Sequence, residues 1–103
     1  MIPYELYINE TAKIDMKKNY RYIVKNFSSY IVADRIIAKI NNKILILKHY
    51  PHMYPILYNH KEKVRKYRRI IIGNYSIIYY ILEKQKKVVI IHIFYNKRKF
   101  FNS

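Results

Sequence analysis

The chain has 103 residues and no cysteine, and its 21 Lys and Arg side chains against six Asp and Glu side chains give a formal net charge of +15. The length predicts one domain with one core, and the lack of cysteine excludes disulfides and thiolate metal sites. No segment has the roughly 20 apolar residues of a membrane span, and residues 1–10 lack the basic and apolar regions of a signal peptide, so we expect a cytoplasmic protein without a membrane partner.

The charge points to a polyanionic partner. A compact domain with this charge repels itself, and nucleic acid is the leading candidate for neutralising it. Residues 1–48 contain nine basic and four acidic side chains, whereas residues 49–103 contain twelve basic and two acidic ones. We therefore expect residues 49–103 to form most of the phosphate-binding surface.

The first half of the chain predicts a strand followed by two helices. Residues 2–8 carry β-forming types and predict a strand, after which Asn9 can cap a helix over residues 10–27. The two serines at positions 28 and 29 break the apolar stripe and offer a second N-cap. A second amphipathic helix is predicted over residues 30–48, and the short link predicts an antiparallel helical hairpin.

The second half predicts a loop followed by three strands. Pro51 and Pro55 end the second helix, and residues 49–66 are irregular, basic and rich in His and Tyr. From residue 67 onward the apolar pattern has period two, which is typical of strands. The predicted strands are residues 67–72, 75–82 and 88–95, joined by a Gly73-Asn74 turn and a polar turn over residues 83–87 and followed by a basic tail.

The last two predicted strands are apolar on both faces. An antiparallel sheet with one face in water would alternate apolar and polar residues. The helical hairpin can cover one face. Loop 49–66, a second copy of the chain or another protein must therefore cover much of the other face.

Several short segments follow one another in a recognisable order. They are Asn9-x-x-Ala12-x-x-Asp15-Met16, Tyr22-Ile23, Ala33, Tyr50-Pro51-x-Met53-Tyr54-Pro55, Arg68-Arg69-x-x-x-Gly73-Asn74-Tyr75-Ser76-Ile77-x-Tyr79 and Ile91-x-Ile93-Phe94-Tyr95-x-x-Arg98. Their order and spacing resemble the RelE/ParE family of bacterial toxins, the small basic partners of type II toxin–antitoxin systems. The resemblance covers essentially the whole chain.

The resemblance implies a fold, a partner and a choice of two activities. It implies an α+β fold in which a helical hairpin packs on a curved, mainly antiparallel four-stranded sheet, in the order β-α-α-β-β-β. We expect one toxin domain over residues 1–96 and a basic tail over residues 97–103. The family implies a tight complex with an acidic antitoxin. Some members cut messenger RNA on the ribosome, and others inhibit DNA gyrase.

A nuclease built from this sequence would use chemistry that the RNA itself supplies. Residues 49–103 have only Glu62 and Glu83 as carboxylates, so the carboxylate pair of a metal-dependent nuclease is missing, and we expect neither a metal nor another cofactor. In a metal-independent ribonuclease the 2′-hydroxyl is the nucleophile. The protein supplies a proton acceptor, cations for the crowded phosphate and a proton donor.

The candidate catalytic residues lie at the ends of the predicted strands. Arg68 and Arg69 point to opposite faces of their strand, so one of them, together with Arg98, would neutralise the phosphate. Tyr95 lies where the resemblance implies His or Tyr and would stack on a base or transfer a proton. The alternative roles are solvated edge residues for the arginines and core packing for Tyr95. A basic rim for RNA phosphates is expected from His60, Lys61, Lys63, Arg65, Lys66 and Lys97.

The remaining histidines favour structural roles. His92 lies in an apolar strand, on the face opposite to Tyr95, where a single His more often has a structural role. His49-x-x-His52 has the spacing of two zinc ligands but has no third ligand at useful spacing.

Ser76 is a departure from the family pattern. In ribonuclease members, Arg commonly follows the aromatic residue that opens this strand and contacts the scissile phosphate, but this chain has Tyr75-Ser76. The first hypothesis is therefore a ribosome-dependent mRNA endonuclease. Two alternatives stay open: a toxin of the same fold that inhibits gyrase by binding, and a non-catalytic nucleic-acid-binding module.

Overall fold

The computed structural model describes residues 2–57 and 66–95. Within these residues the element order is β-α-α-β-β-β, as the sequence predicts. The first strand begins three residues later than predicted, the last strand begins one residue earlier, and the second helix stops two residues earlier because its last turn tightens. The elements are β1 (Glu5–Ile8), α1 (Glu10–Phe27), α2 (Tyr30–Ile46), β2 (Tyr67–Ile72), β3 (Tyr75–Leu82) and β4 (Lys87–Tyr95).

Two serines reverse the chain between α1 and α2. Ser28 adopts the left-handed conformation (φ 52°, ψ 38°) that commonly ends a helix. The Ser29 hydroxyl then accepts a hydrogen bond from the Val32 N–H at 3.2 Å and caps α2, as predicted. Asn9 stands at the N-cap of α1, but its side chain makes no capping bond to the described residues. Its N–H instead donates to the Ile90 carbonyl of β4 at 2.9 Å.

The sheet of the described residues has four strands in the order β1-β4-β3-β2. β1 runs parallel to β4, and the other two pairs are antiparallel, which confirms the mainly antiparallel sheet. Residues 55–57 follow the outer edge of β2. There Ile56 forms a bridge with Arg68, and the Leu57 N–H donates to the Tyr67 carbonyl at 2.7 Å.

One face of the sheet packs against both helices and forms the core. Ile70, Ile77 and Ile93 form a cross-strand row that is fully buried. Burying a side chain of this kind contributes about 1.5–3 kcal/mol, so rows like this one carry much of the stability. The helices contribute Ala12, Ile23, Ala33, Ile40 and Ile44 to the same core.

The opposite face of the sheet is the one that α1 and α2 leave uncovered. We call it the open face, and we define it by Arg69, Ile71, Ser76, Ile78, His92 and Phe94. On the middle strand, Ser76 and Ile78 are buried, whereas on the flanking strands Ile71 is 61% exposed and Phe94 is 39% exposed. Residues 75–79 of β3 are therefore buried on both faces, while the flanking strands expose apolar side chains on the open face.

A β-bulge in β4 decides which of its side chains reach the open face. Ile78 pairs with His92, but the next residue, Tyr79, pairs with Ile90, so Ile91 is an extra residue in β4. Strict alternation from Ile90 would direct His92 toward the helices. The extra residue reverses the alternation, and His92 shares the open face with Arg69 and Ile78.

Two side chains of α1 replace a strand partner along part of β4. β1 pairs with β4 only as far as Ile90, which would leave the next backbone groups of this edge without a strand partner. Asp15 accepts a hydrogen bond from the Ile93 N–H at 3.0 Å, and Asn19, one helical turn later, donates to the Ile93 carbonyl at 2.9 Å. These bonds fix the position of α1 against β4.

A hydrogen-bonded cluster ties the β3–β4 turn to the loop after α2, and it predicts a pH dependence of stability. Glu83 Oε2 lies 2.8 Å from His52 Nε2, and this hydrogen bond is the main reason that the pKa of Glu83 is below its ordinary value. A carboxylate whose pKa is lower in the folded state than in the unfolded state stabilises the fold at pH values above the unfolded pKa, which is about 4.3 for Glu. This stabilisation is lost as the pH falls through the pKa of the folded state.

We therefore expect Glu83→Gln to lower the urea midpoint at pH 7 and to approach the wild-type midpoint below about pH 4. Both side chains are about half exposed, at 49% and 59%, so the difference at pH 7 should stay under about 1 kcal/mol. A difference that is constant between pH 7 and pH 3 would contradict the assignment.

Candidate functional site

The two adjacent arginines of β2 lie on opposite faces of the sheet. Arg68 pairs with Tyr79 on the helix side, and its Nη1 donates to the Tyr54 carbonyl at 2.6 Å and to the His52 carbonyl at 3.3 Å. Tyr79 holds the same loop, because its hydroxyl donates to the Pro51 carbonyl at 2.7 Å. The geometry therefore gives Arg68 a structural role in the loop after α2, and Arg69 is the arginine on the open face.

The guanidinium of Arg69 lies over the start of β3, the neighbouring strand. Its Nε donates to the Ser76 hydroxyl at 3.0 Å, and Ser76 is fully buried beneath it. A cation from β2 thus lies at the position on β3 where the family pattern described above has arginine. A guanidinium stays charged at any physiological pH and can bind two phosphate oxygens at once.

Tyr95 belongs to the other face. It pairs with Tyr75, and its ring lies against those of Tyr75 and Tyr22, with centroid distances of 5.2 and 5.5 Å. Burial raises the pKa of Tyr75 to about 12, so its hydroxyl stays protonated at neutral pH. The structure therefore does not bring Tyr95 and Arg69 to one face. The three rings, with Asn26, Phe27, Ile36 and Asn74, line a cavity of about 340 Å³.

Most of the predicted basic rim lies outside residues 2–57 and 66–95. Lys66, which is exposed directly before β2, is the member that the structure describes. The other predicted phosphate-binding residues and the fourth predicted catalytic residue lie outside the described residues. They are His60, Lys61, Lys63, Arg65, Lys97 and Arg98.

The structure reveals a histidine–carboxylate pair that the sequence interpretation missed. His92 Nδ1 lies 3.1 Å from Asp15 Oδ2, and the side chains are 48% and 22% exposed. The sequence favoured a structural role for His92, and the bulge places its side chain half exposed on the open face, beside Asp15. The separation of 77 positions between the partners and the one-residue bulge leave no periodic signal in the sequence.

The other described histidines lie elsewhere. His52 is bonded to Glu83, and the ring of His49 lies against Tyr50 with a centroid distance of 6.4 Å. Across residues 2–57 and 66–95, no three His, Asp or Glu side chains come together in the manner of a metal site.

The open face continues toward the other end of the sheet as a mixture of aromatic and basic side chains. Tyr67 and Tyr80 pack edge to face at 5.9 Å. Lys87 Nζ lies 5.8 Å from the centre of the Tyr7 ring and 4.0 Å from Glu5. Aromatic rings beside cations are the groups that bind single-stranded nucleic acid, through base stacking and phosphate contacts.

Comparison with solved structures shows the same architecture in known toxin–antitoxin complexes. The chain matches a chain of the RelBE2 toxin–antitoxin complex of Mycobacterium tuberculosis with a TM-score of 0.67 and 20% identity, covering 91% of this chain and 99% of that one. It matches a chain of the archaeal RelE–RelB complex of Pyrococcus horikoshii with a TM-score of 0.55 and 16% identity, covering 94% and 99%. These likenesses confirm the RelE-like fold.

The sequence itself matches one protein family over nearly its full length. The match is to the ParE toxin of the type II toxin–antitoxin system parDE, and it extends over residues 6–100. No curated protein sequence matches the chain, and no helix in the described part is long and apolar enough to cross a membrane. The chain therefore belongs to the ParE toxin family of type II toxin–antitoxin systems.

Proposed function

We propose that this toxin cleaves messenger RNA on the ribosome without a metal, and that Arg69 neutralises the scissile phosphate. The observation that carries the proposal is the contact between Arg69 Nε and the Ser76 hydroxyl on the open face. Ser76 lacks the charge that the family pattern has at this position, and Arg69 brings a guanidinium to the same place. The loss of one cation from β3 is thus compensated from β2.

The chemistry divides between the RNA and the protein. The 2′-hydroxyl attacks the adjacent phosphorus, the bond to the 5′-oxygen breaks, and the products are a 2′,3′-cyclic phosphate and a 5′-hydroxyl. Charge builds up on the phosphate oxygens as the new bond forms, and a positioned guanidinium stabilises it. We assign the holding of the RNA backbone to Lys66 and the predicted basic rim, and a second phosphate contact to Arg98.

We also propose an acidic antitoxin as the physiological partner. The two structures described above are toxin–antitoxin complexes. An acidic, amphipathic chain segment would neutralise part of the +15 charge and cover exposed apolar residues such as Ile71. Co-expression of a small acidic protein encoded beside this chain should give a stable complex and relieve growth arrest.

A second candidate function is inhibition of DNA gyrase by binding. Two observations favour it: the matching family is that of the ParE toxins, and Ser76 removes a cation that ribonuclease members commonly have. The third hypothesis, a non-catalytic nucleic-acid-binding module, requires that the chain does not arrest growth.

One experiment separates the three candidates. After induction in cells, messages cut within translated codons and an unchanged chromosomal topology are expected. In purified ribosome complexes, the chelator-treated toxin should leave fragments with a 2′,3′-cyclic phosphate and a 5′-hydroxyl. Intact messages with relaxed or broken DNA would refute the nuclease proposal and support gyrase as the target, and normal growth would support the binding module.

A further inference from the structure

We propose that His92, oriented by Asp15, is the proton acceptor for the 2′-hydroxyl, an assignment that rests on the proposed RNA cleavage. The Arg69 site by itself supplies charge but no base. Among the described residues, the imidazole of His92 lies on the same face, in the cross-strand row that joins Arg69, Ile78 and His92.

The strand register places Arg69 and His92 near each other on the open face. The contact between Arg69 Nε and Ser76 holds the guanidinium over β3, the strand next to β4. Ser76 pairs with Phe94, two residues beyond His92 on β4. A phosphate bound by Arg69 beside Ser76 therefore lies one strand across and two residues along from the backbone of His92, a diagonal of about 8 Å. The imidazole can then reach the 2′-hydroxyl of the ribose whose 3′-oxygen carries that phosphate.

Asp15 determines which ring nitrogen carries the proton. A carboxylate can only accept hydrogen bonds, so the nitrogen that contacts it, Nδ1, is the one bearing hydrogen. In the neutral ring, Nε2 then has the lone pair that a base requires. Asp15 is itself fixed, because the same Oδ2 accepts a hydrogen bond from the Ile93 N–H at 3.0 Å. Asp15 is therefore a positioning residue.

The bulge at Ile91 serves this arrangement. Without the extra residue, His92 would follow Ile90 onto the helix side and leave the open face.

Each proton in the proposed transfer has a donor and an acceptor. Nε2 takes the proton of the 2′-hydroxyl as the oxygen bonds to phosphorus, and the leaving 5′-oxygen receives a proton from water. The imidazole later returns its proton to water.

The test compares cleavage rates in purified ribosome complexes. We expect His92→Ala to cut about a hundredfold or more slowly than the wild type while binding the complexes equally well, and His92→Gln to behave alike. Added imidazole should restore part of the rate of His92→Ala, because a free base can enter the space that the side chain leaves. His49→Ala, which removes an exposed histidine outside the open face, should cut at the wild-type rate.

Asp15→Asn should also cut more slowly, but imidazole should not rescue it, since its histidine is still present. Thermal unfolding of each variant shows whether the fold is kept. Two results would overturn the role of His92 and leave the proposed function standing. In the first, the wild type cleaves RNA and the cleavage rate of His92→Ala is within about threefold of the wild-type rate. In the second, His92→Ala cleaves slowly and added imidazole does not restore its rate. No cleavage by the wild type would overturn both.

Discussion

Arg69→Ala is expected to abolish growth arrest and to slow RNA cleavage by about a hundredfold or more, because it removes the cation that stabilises the transition state. Its folding stability should change little, since the side chain is only half buried at the sheet surface. Arg69→Lys should recover part of the rate, because an ammonium keeps the charge but cannot bind two phosphate oxygens as a guanidinium does. Cleavage rates and urea unfolding of the same preparations measure the two effects separately.

Arg68→Ala is the matched control for this prediction. It removes an arginine from the adjacent position, but on the helix side, where it holds the carbonyls of His52 and Tyr54. We expect a loss of about 1–3 kcal/mol of stability from these unpaired carbonyls, with the cleavage rate of the folded fraction kept near that of the wild type. The reverse result, with Arg68→Ala inactive and Arg69→Ala active, would show that the phosphate binds elsewhere.

An exchange of two residues tests the compensation between strands. The double variant Arg69→Ser, Ser76→Arg moves the guanidinium from β2 to the position on β3 that the family pattern favours. If Arg69 acts in place of that arginine, the exchange should cut faster than Arg69→Ala alone. An exchange variant that folds and is as slow as Arg69→Ala would argue against the compensation.

Ile77→Ala is expected to give a large loss of stability, about 2–5 kcal/mol, because it leaves a cavity in the middle of the buried row of Ile70, Ile77 and Ile93. For a domain of this size, such a loss lowers the thermal midpoint by about 10 °C or more. Toxicity should fall only as far as the folded population does. Thermal and urea unfolding measure the loss.

Ile71→Ala is the control on the other face. Ile71 is 61% exposed on the open face, so its truncation should cost less than about 1 kcal/mol. Equal losses for the two variants would mean that α1 and α2 do not cover the face assigned to them, and the open face would have to be redrawn.

The sequence by itself determined the elements and their order. The apolar spacing changes from a helical period to a period of two at residue 67, and local signals such as Ser29 and Gly73-Asn74 mark the turns; these short-range patterns carry over directly into α1, α2, β2 and β3. The alternation of side chains along a strand also required Arg68 and Arg69 to lie on opposite faces.

Which arginine faces solvent was decided only by the tertiary structure, because both faces of these strands are apolar and alternation alone does not say which one the helices cover. The directions of the side chains after the bulge at Ile91 were also decided only by the tertiary structure. One extra residue exchanges the faces of everything after it, and nothing in the local sequence marks it. The pair of Asp15 and His92 joins residues 77 positions apart, and only the packing of α1 against the uncovered edge of β4 brings them together.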